Sequence, residues 1–98
     1  MRKVGLSDLH HAARAVQTVH TGAGAALSQQ LLWHAHVADK YVKRLHRLHP
    51  AWGDGSLRAA ALAHLKHHGP LKQPPDYCLS MAVVLTALAR QRGKFTLT

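Results

Sequence analysis

Histidine is the first place to look for chemistry in this chain. Ten of the 98 residues are His, and His64, His67 and His68 sit close together on one predicted helix. His64 and His68 are four residues apart, so both rings leave the same helix face, as in zinc-binding helix pairs. Asp76 or Cys78 could complete such a set across the connector that follows. Against a metal site, the chain has no Cys pair and no HExxH motif. With a tenth of the residues being His, a pair at this spacing also arises readily. His64 and His68 are therefore metal candidates only, no cofactor is expected, and the plain reading is solvated histidines near a helix C-terminus. His46 and His49 form a looser pair, while His34 and His36 point to nearly opposite faces. His34 falls on the apolar side of its helix, where a hydrogen-bonded core or interface role is expected.

Other catalytic arrangements find little support. The four carboxylates, Asp8, Asp39, Asp54 and Asp76, are scattered one per segment, whereas general acid–base work usually needs a second positioned group. Cys78 occupies the second position of a helix predicted to be buried, where a thiol more often packs than reacts. The stretch TGAGAAL lacks the Lys-Ser/Thr ending of a phosphate-binding loop. In HPAWGDGSL, Trp52, Gly53, Asp54, Gly55 and Ser56 read as a structural loop. The two glycines permit the positive φ of a sharp reversal, Asp54 and Ser56 can accept from the first free N–H groups of the next helix, and Trp52 plugs the reversal against the core. The expectation is a non-enzymatic protein.

Charge points to recognition instead. Thirteen Lys and Arg face four acidic residues, a formal net charge of +9 with His neutral, which favours anionic partners. Lys40, Lys43, Arg44 and Arg47 recur at helical offsets and form a basic ridge. Trp33 and His36 lie on the same side. A charge run alone is usually a solvated face, but a Trp among cations can anchor a protein interface or stack on a base. The proposed contact surface is thus Trp33, His36, Lys40, Lys43, Arg44 and Arg47, facing an acidic protein partner. The alternative is a nucleic-acid-binding accessory protein using the same ridge, mainly through phosphates, since no base-reading motif is legible.

Four helices must hold these groups: about 8–20, capped by Ser7 with Asp8 behind it; about 23–48, stopped before Pro50; about 57–68, closed by Gly69 and Pro70; and about 77–92, capped by Asp76 and closed by Gly93. Thr21 is a weak cap for the second helix. On that helix Leu27, Leu31, His34, Ala38, Tyr41, Val42, Leu45 and Leu48 gather on the side opposite the ridge. The fourth helix is apolar around almost its whole circumference. It is therefore central to the bundle or lies at a homodimer interface. The fold class is all-α, a four-helix bundle making one domain over residues 1–98.

A single Cys precludes an internal disulfide and fits a cytoplasmic location. The basic N-terminus is not followed by an apolar run, so no secretory signal is read. The longest uncharged apolar window, Tyr77 to Ala89, is too short to span a bilayer, and no membrane partner is expected. Three pieces, Ala38 to Tyr41 (ADKY), His49 to Leu62 (HPAWGDGSLRAAAL) and Pro75 to Cys78 (PDYC), make the chain resemble a family of small alphaproteobacterial proteins of unknown function. The resemblance implies an intracellular bacterial setting and assigns no functional residue. Both distinctive pieces are helix entrances bearing an aromatic and an Asp. Trp52 and Tyr77 are accordingly expected to meet on one side of the bundle.

Overall fold

A computed structural model describes residues 2–19, 21–68 and 76–95, without the side chains of residues 21, 68 and 92–95. Among the described residues the protein is built of four α-helices and no strand: α1 (Leu6–Val16), α2 (Gly24–Leu45), α3 (Leu57–His68) and α4 (Tyr77–Phe95). The all-α bundle read from the sequence is what forms. The cap residue of α2 is Ala23 and not Thr21, which lies two residues earlier in a short 3-10 turn. The closing Gly69 and Pro70, most of the Pro-rich connector and the final three residues lie outside the described residues.

Helices α1, α3 and α4 start where a short polar side chain can take up the unsatisfied amides of a first turn, whereas α2 starts from Ala23 with no side-chain cap bond. Asp8 serves two helices at once. Its Oδ2 accepts from the Gly5 amide at 2.8 Å, and its Oδ1 accepts from the Arg58 amide of α3 at 2.8 Å. The α1 cap is therefore Gly5 and not Ser7, which lies inside the helix. Ser56 Oγ accepts from the Ala59 amide at 3.1 Å to cap α3. Asp76 Oδ1 accepts from Cys78 at 2.7 Å and Leu79 at 3.3 Å to cap α4. At its other end α1 stops at Val16, short of His20. There the Thr18 amide bonds the Ala15 carbonyl and the Val19 amide bonds that of Val16, a tighter winding than the α-helix.

Helix α2 ends at Leu45, three residues before the expected Leu48. His46 adopts the left-handed conformation (φ 56°) while its amide still reaches the Val42 carbonyl at 2.8 Å. The cause lies in the loop. Gly55 packs against the α2 backbone at Asp39, so the chain has already folded back there, and the residues from Lys43 to Leu48 are exposed. Leu45 and Leu48, expected on the covered side, are exposed. The buried stripe is Leu27, Ser28, Leu31, Leu32, Ala35, Ala38 and Asp39, a 3.6-residue repeat rotated from the expected one.

The core joins Ala12, Ala15 and Val16 of α1 to Leu31 and Leu32 of α2, Leu57, Ala60 and Ala61 of α3, and Val84, Ala87 and Leu88 of α4. Alanines on the facing sides of α1 and α3 permit close approach of the two backbones, since interaxial distance follows side-chain size. Helix α4 is one-sided. Ser80, Val84, Ala87 and Leu88 face inward, while Leu79 is 63% and Leu85 45% exposed. Of the two arrangements expected for α4, wrapping by the other three helices is excluded. Leu79 and Leu85 stand on its outward side. Cys78, expected to be buried, is exposed on that outer side, and α4 runs on through Gly93 to Phe95. No helix among the described residues is long and apolar enough to cross a membrane.

Candidate functional site

Two opposite sides of α2 carry its aromatic and charged groups. On the outer side Trp33 is 55% exposed, and its ring lies 5.8 Å from that of His36. Lys40, Lys43 and Arg44 continue this side along the helix, all exposed. Arg47 is exposed too, but it follows the left-handed His46 and is not part of the helical ridge. The ridge thus keeps three of its four expected cations on the helix. His36 is held below the usual imidazole range, by burial first and then by surrounding positive charge that includes Lys40.

Beneath the ridge lies a feature that the sequence reading missed. Asp39 is buried (5% exposed), and Lys43 Nζ reaches over it at 3.1 Å. Burial acts to raise the Asp39 carboxyl pKa. Hydrogen bonding and positive charge, Lys43 among the sources, outweigh it and leave the group below the usual carboxylate range. The available signal was the i,i+4 spacing to Lys43 together with the position of Asp39 next to Ala38 in the buried repeat.

On the inner side the loop between α2 and α3 closes on itself. The His49 amide donates to the Gly53 carbonyl at 2.8 Å and the Gly53 amide returns to His49 at 3.1 Å. The amides of Ala51 and Trp52 both donate to His49 Nδ1 at 3.1 Å. That nitrogen is therefore an acceptor, and the neutral ring carries its proton on Nε2. The Trp52 indole stacks with His34 (centroids 4.0 Å apart, planes 6° apart) and with His49 (4.6 Å, 4°). Tyr41 meets His49 edge-on at 4.9 Å. His34 is held below the usual imidazole range by burial and then by His49, so it faces the indole as a neutral ring at neutral pH.

Gly53 and Gly55 have φ of 77° and 92°, the left-handed geometry that the loop reading required. Asp54 Oδ1 accepts from the Ser56 amide at 3.0 Å and Oδ2 pairs with Arg2 Nη1 at 3.1 Å. Bonds from Ser56, then the positive charge of Arg2, hold Asp54 below the usual carboxylate range against a smaller opposing effect of burial. Each of the four carboxylates is now accounted for: Asp8 and Asp76 cap helices, Asp54 braces the loop, and Asp39 lies under Lys43. Trp52 and Tyr77 do not meet. Tyr77 has its hydroxyl 2.9 Å from His10 Nδ1 on α1, whereas Trp52 stacks with His34 and His49.

Between α2, this loop and α3 opens a cleft of about 400 Å³. Leu27, Leu31, Ala60 and Ala63 supply apolar lining, and Trp52 and His34 stand where it meets the loop. Gln30, His64, Lys66 and His67 supply its polar lining. Thr18 Oγ1 lies 2.6 Å from the Ala15 carbonyl and 2.7 Å from His64 Nε2. The single hydroxyl proton goes to the carbonyl, so His64 Nε2–H donates to Thr18. That nitrogen is thus not open to a metal, and the side chain of His68 lies outside the described residues. No group of three or more His, Cys, Asp or Glu among the described residues could hold a metal ion.

Residues 2–88 match a protein family described as a domain of unknown function (DUF7742). No curated protein and no solved structure matches the chain.

Proposed function

The chain belongs to this family of unknown function, and from that premise we propose that it is a non-enzymatic interaction module whose α2 outer face receives an acidic protein partner. One observation carries the reading: Trp33 leaves more than half of its surface in water, on the side of α2 where Lys40, Lys43 and Arg44 also project. An exposed indole beside cations gives a partner apolar area to bury, while the charges speed and orient encounter. The structural engagement of all four carboxylates supports a non-enzymatic role. The alphaproteobacterial setting implied by the resemblance, and the single cysteine, support action in the bacterial cytoplasm.

Nucleic acid is the second reading, because an exposed Trp among cations also suits a stacked base. The ion pair between Lys43 and Asp39 favours the protein partner, since it partly neutralises the middle of the ridge where a phosphate track would run. The test titrates a labelled Asp/Glu-rich peptide with a central Leu against the full chain and follows anisotropy. Saturable binding that weakens about tenfold on Trp33→Ala, with slower association in Lys40→Ala/Lys43→Ala, is the expected result. Binding indifferent to Trp33→Ala overturns the proposal. So does displacement of the peptide by a lower concentration of a single-stranded oligonucleotide, which selects the second reading.

A further inference from the structure

The cleft on the inner side of α2 is separate from the ridge, and its lining has a chemistry of its own. Its apolar walls come from three directions: Leu27 and Leu31 on α2, Ala60 and Ala63 on α3, and Trp52 on the loop. Leu31 and Ala60 are each only 1% exposed, so they form its floor. The small side chains of α3 leave the space. Trp52 is fixed by its two histidine stacks and by the amide bonds to His49. That wall is preformed, which lowers the ordering cost of binding.

The polar lining carries no negative charge. Gln30, Lys66 and His67 bring N–H groups to it, His64 directs its Nε2–H to Thr18, and none of the described lining residues is acidic. Lys66 and His67 are exposed, which puts them at the rim. Lys66 is the one permanent cation among them, and a single permanent charge suits a monoanion better than a dianion. The volume lies at the lower end of the range for sites that hold small ligands, roughly 300–1,000 Å³.

From this lining we infer that the cleft binds a small carboxylate with an apolar body, the hydrocarbon on Leu31, Ala60 and Trp52 and the carboxylate at Lys66 and His67. A cationic ligand would meet Lys66 with no counter-charge. A fully polar anion would leave the floor wet.

The experiment uses the full chain carrying Trp33→Phe, so that Trp52 is its one tryptophan and emission reports the cleft alone. Octanoate is the probe and octanamide its uncharged counterpart. Octanoate is expected to change the emission saturably, and octanamide to bind several-fold more weakly. Lys66→Ala should weaken octanoate about fivefold, as for a rim charge. Ala63→Leu, which fills the cleft from its α3 wall, should abolish the response, and Lys40→Ala on the ridge should leave it unchanged. No saturable response to octanoate overturns the inference, as does equal affinity for octanamide. Loss of the response in Lys40→Ala also overturns it, by moving the binding to the ridge. If Ala63→Leu fails to unfold cooperatively, Lys66→Ala on the exposed rim decides alone: unchanged affinity there is fatal. None of these outcomes depends on whether the ridge binds an acidic partner.

Discussion

The chain has two tryptophans, each placed beside histidine, and the fold uses them in opposite ways. Trp33 has one tilted imidazole 5.8 Å away and more than half its surface in water. Trp52 lies parallel to two imidazoles at 4.0 and 4.6 Å and is half-buried. The difference comes from what fixes each one. Among the described residues, the ring beside Trp33 is that of His36 on its own helix. Trp52 sits in a loop whose amides are tied to His49, whose next segment is braced by Arg2 and Asp54, and whose Gly55 touches the backbone of α2. An indole with that many constraints belongs to the scaffold. An indole with few is available to something else. Changes on the constrained side should therefore cost the fold more than changes on the free side.

Gly55→Ala should be the most damaging change. A Cβ there would lie 2.5 Å from Asp39 Cα and 2.7 Å from Asp39 Cβ, at a φ of 92°. Backbone strain of about 1–3 kcal/mol and overpacking of about 1–3 kcal/mol act together, out of a total stability of about 5–15 kcal/mol. We expect a loss of about 4 kcal/mol, read as a large drop in the urea midpoint or loss of cooperative unfolding. Gly22→Ala is the matched control, since nothing lies within 4 Å of its added methyl. It should move the midpoint little. Equal effects at the two glycines would mean that the loop is not anchored on α2.

Acid should loosen the constrained side next. His34 is held below its ordinary 6.5 by burial, then by His49. A lowered folded pKa means that the unfolded chain binds more protons. The contribution of His34 is then fully present above pH 6.5 and is lost as pH falls through the lowered folded value. His36 acts in the same direction. Asp39 and Asp54, both below their ordinary 3.8, add a second loss that begins only near that value. Urea midpoints between pH 7.5 and 3 should therefore fall in two stages. His34→Phe keeps an aromatic ring against Trp52 and should shrink the first stage while leaving the second. A first stage of undiminished size in that variant would remove His34 from the account.

How much of this contrast the sequence revealed depended on whether the cause was local. Helix starts were legible where a capping side chain precedes its own helix, as with Ser56 and Asp76. The α1 start was misplaced because Asp8 bonds backward to Gly5 and across to Arg58, and only the second of those bonds requires tertiary structure. Gly53 and Gly55 were read correctly as reversal residues, because positive φ is a local demand. That Gly55 is also a contact with Asp39 was invisible, since it joins two segments through the fold. The end of α2 was missed for the same reason: apolar spacing continues to Leu48, but the covering chain has already turned away. On the outer face, exposure of Trp33 followed from spacing alone. In the cleft, His34 and His64 were noticed one at a time, and nothing in their spacing brought either beside Trp52 or Lys66.

The smallest effect on stability is expected at Trp33, and it is the most informative for function. Trp33→Ala removes a side chain whose surface is mostly in water already, with His36 as its recorded ring neighbour. Alanine is also the better helix former, by a few tenths of a kcal/mol. The two contributions oppose each other, so the urea midpoint should shift by no more than about 0.5 kcal/mol equivalent, the usual range for surface changes. A scaffold role for Trp33 would instead give a loss above about 1 kcal/mol, the central value for destabilising substitutions. In that case the two indoles would be alike, and peptide binding lost in Trp33→Ala could be blamed on a weakened fold. An unchanged midpoint with weakened binding separates them: the exposed indole then acts on a partner, and the stacked one on the chain itself.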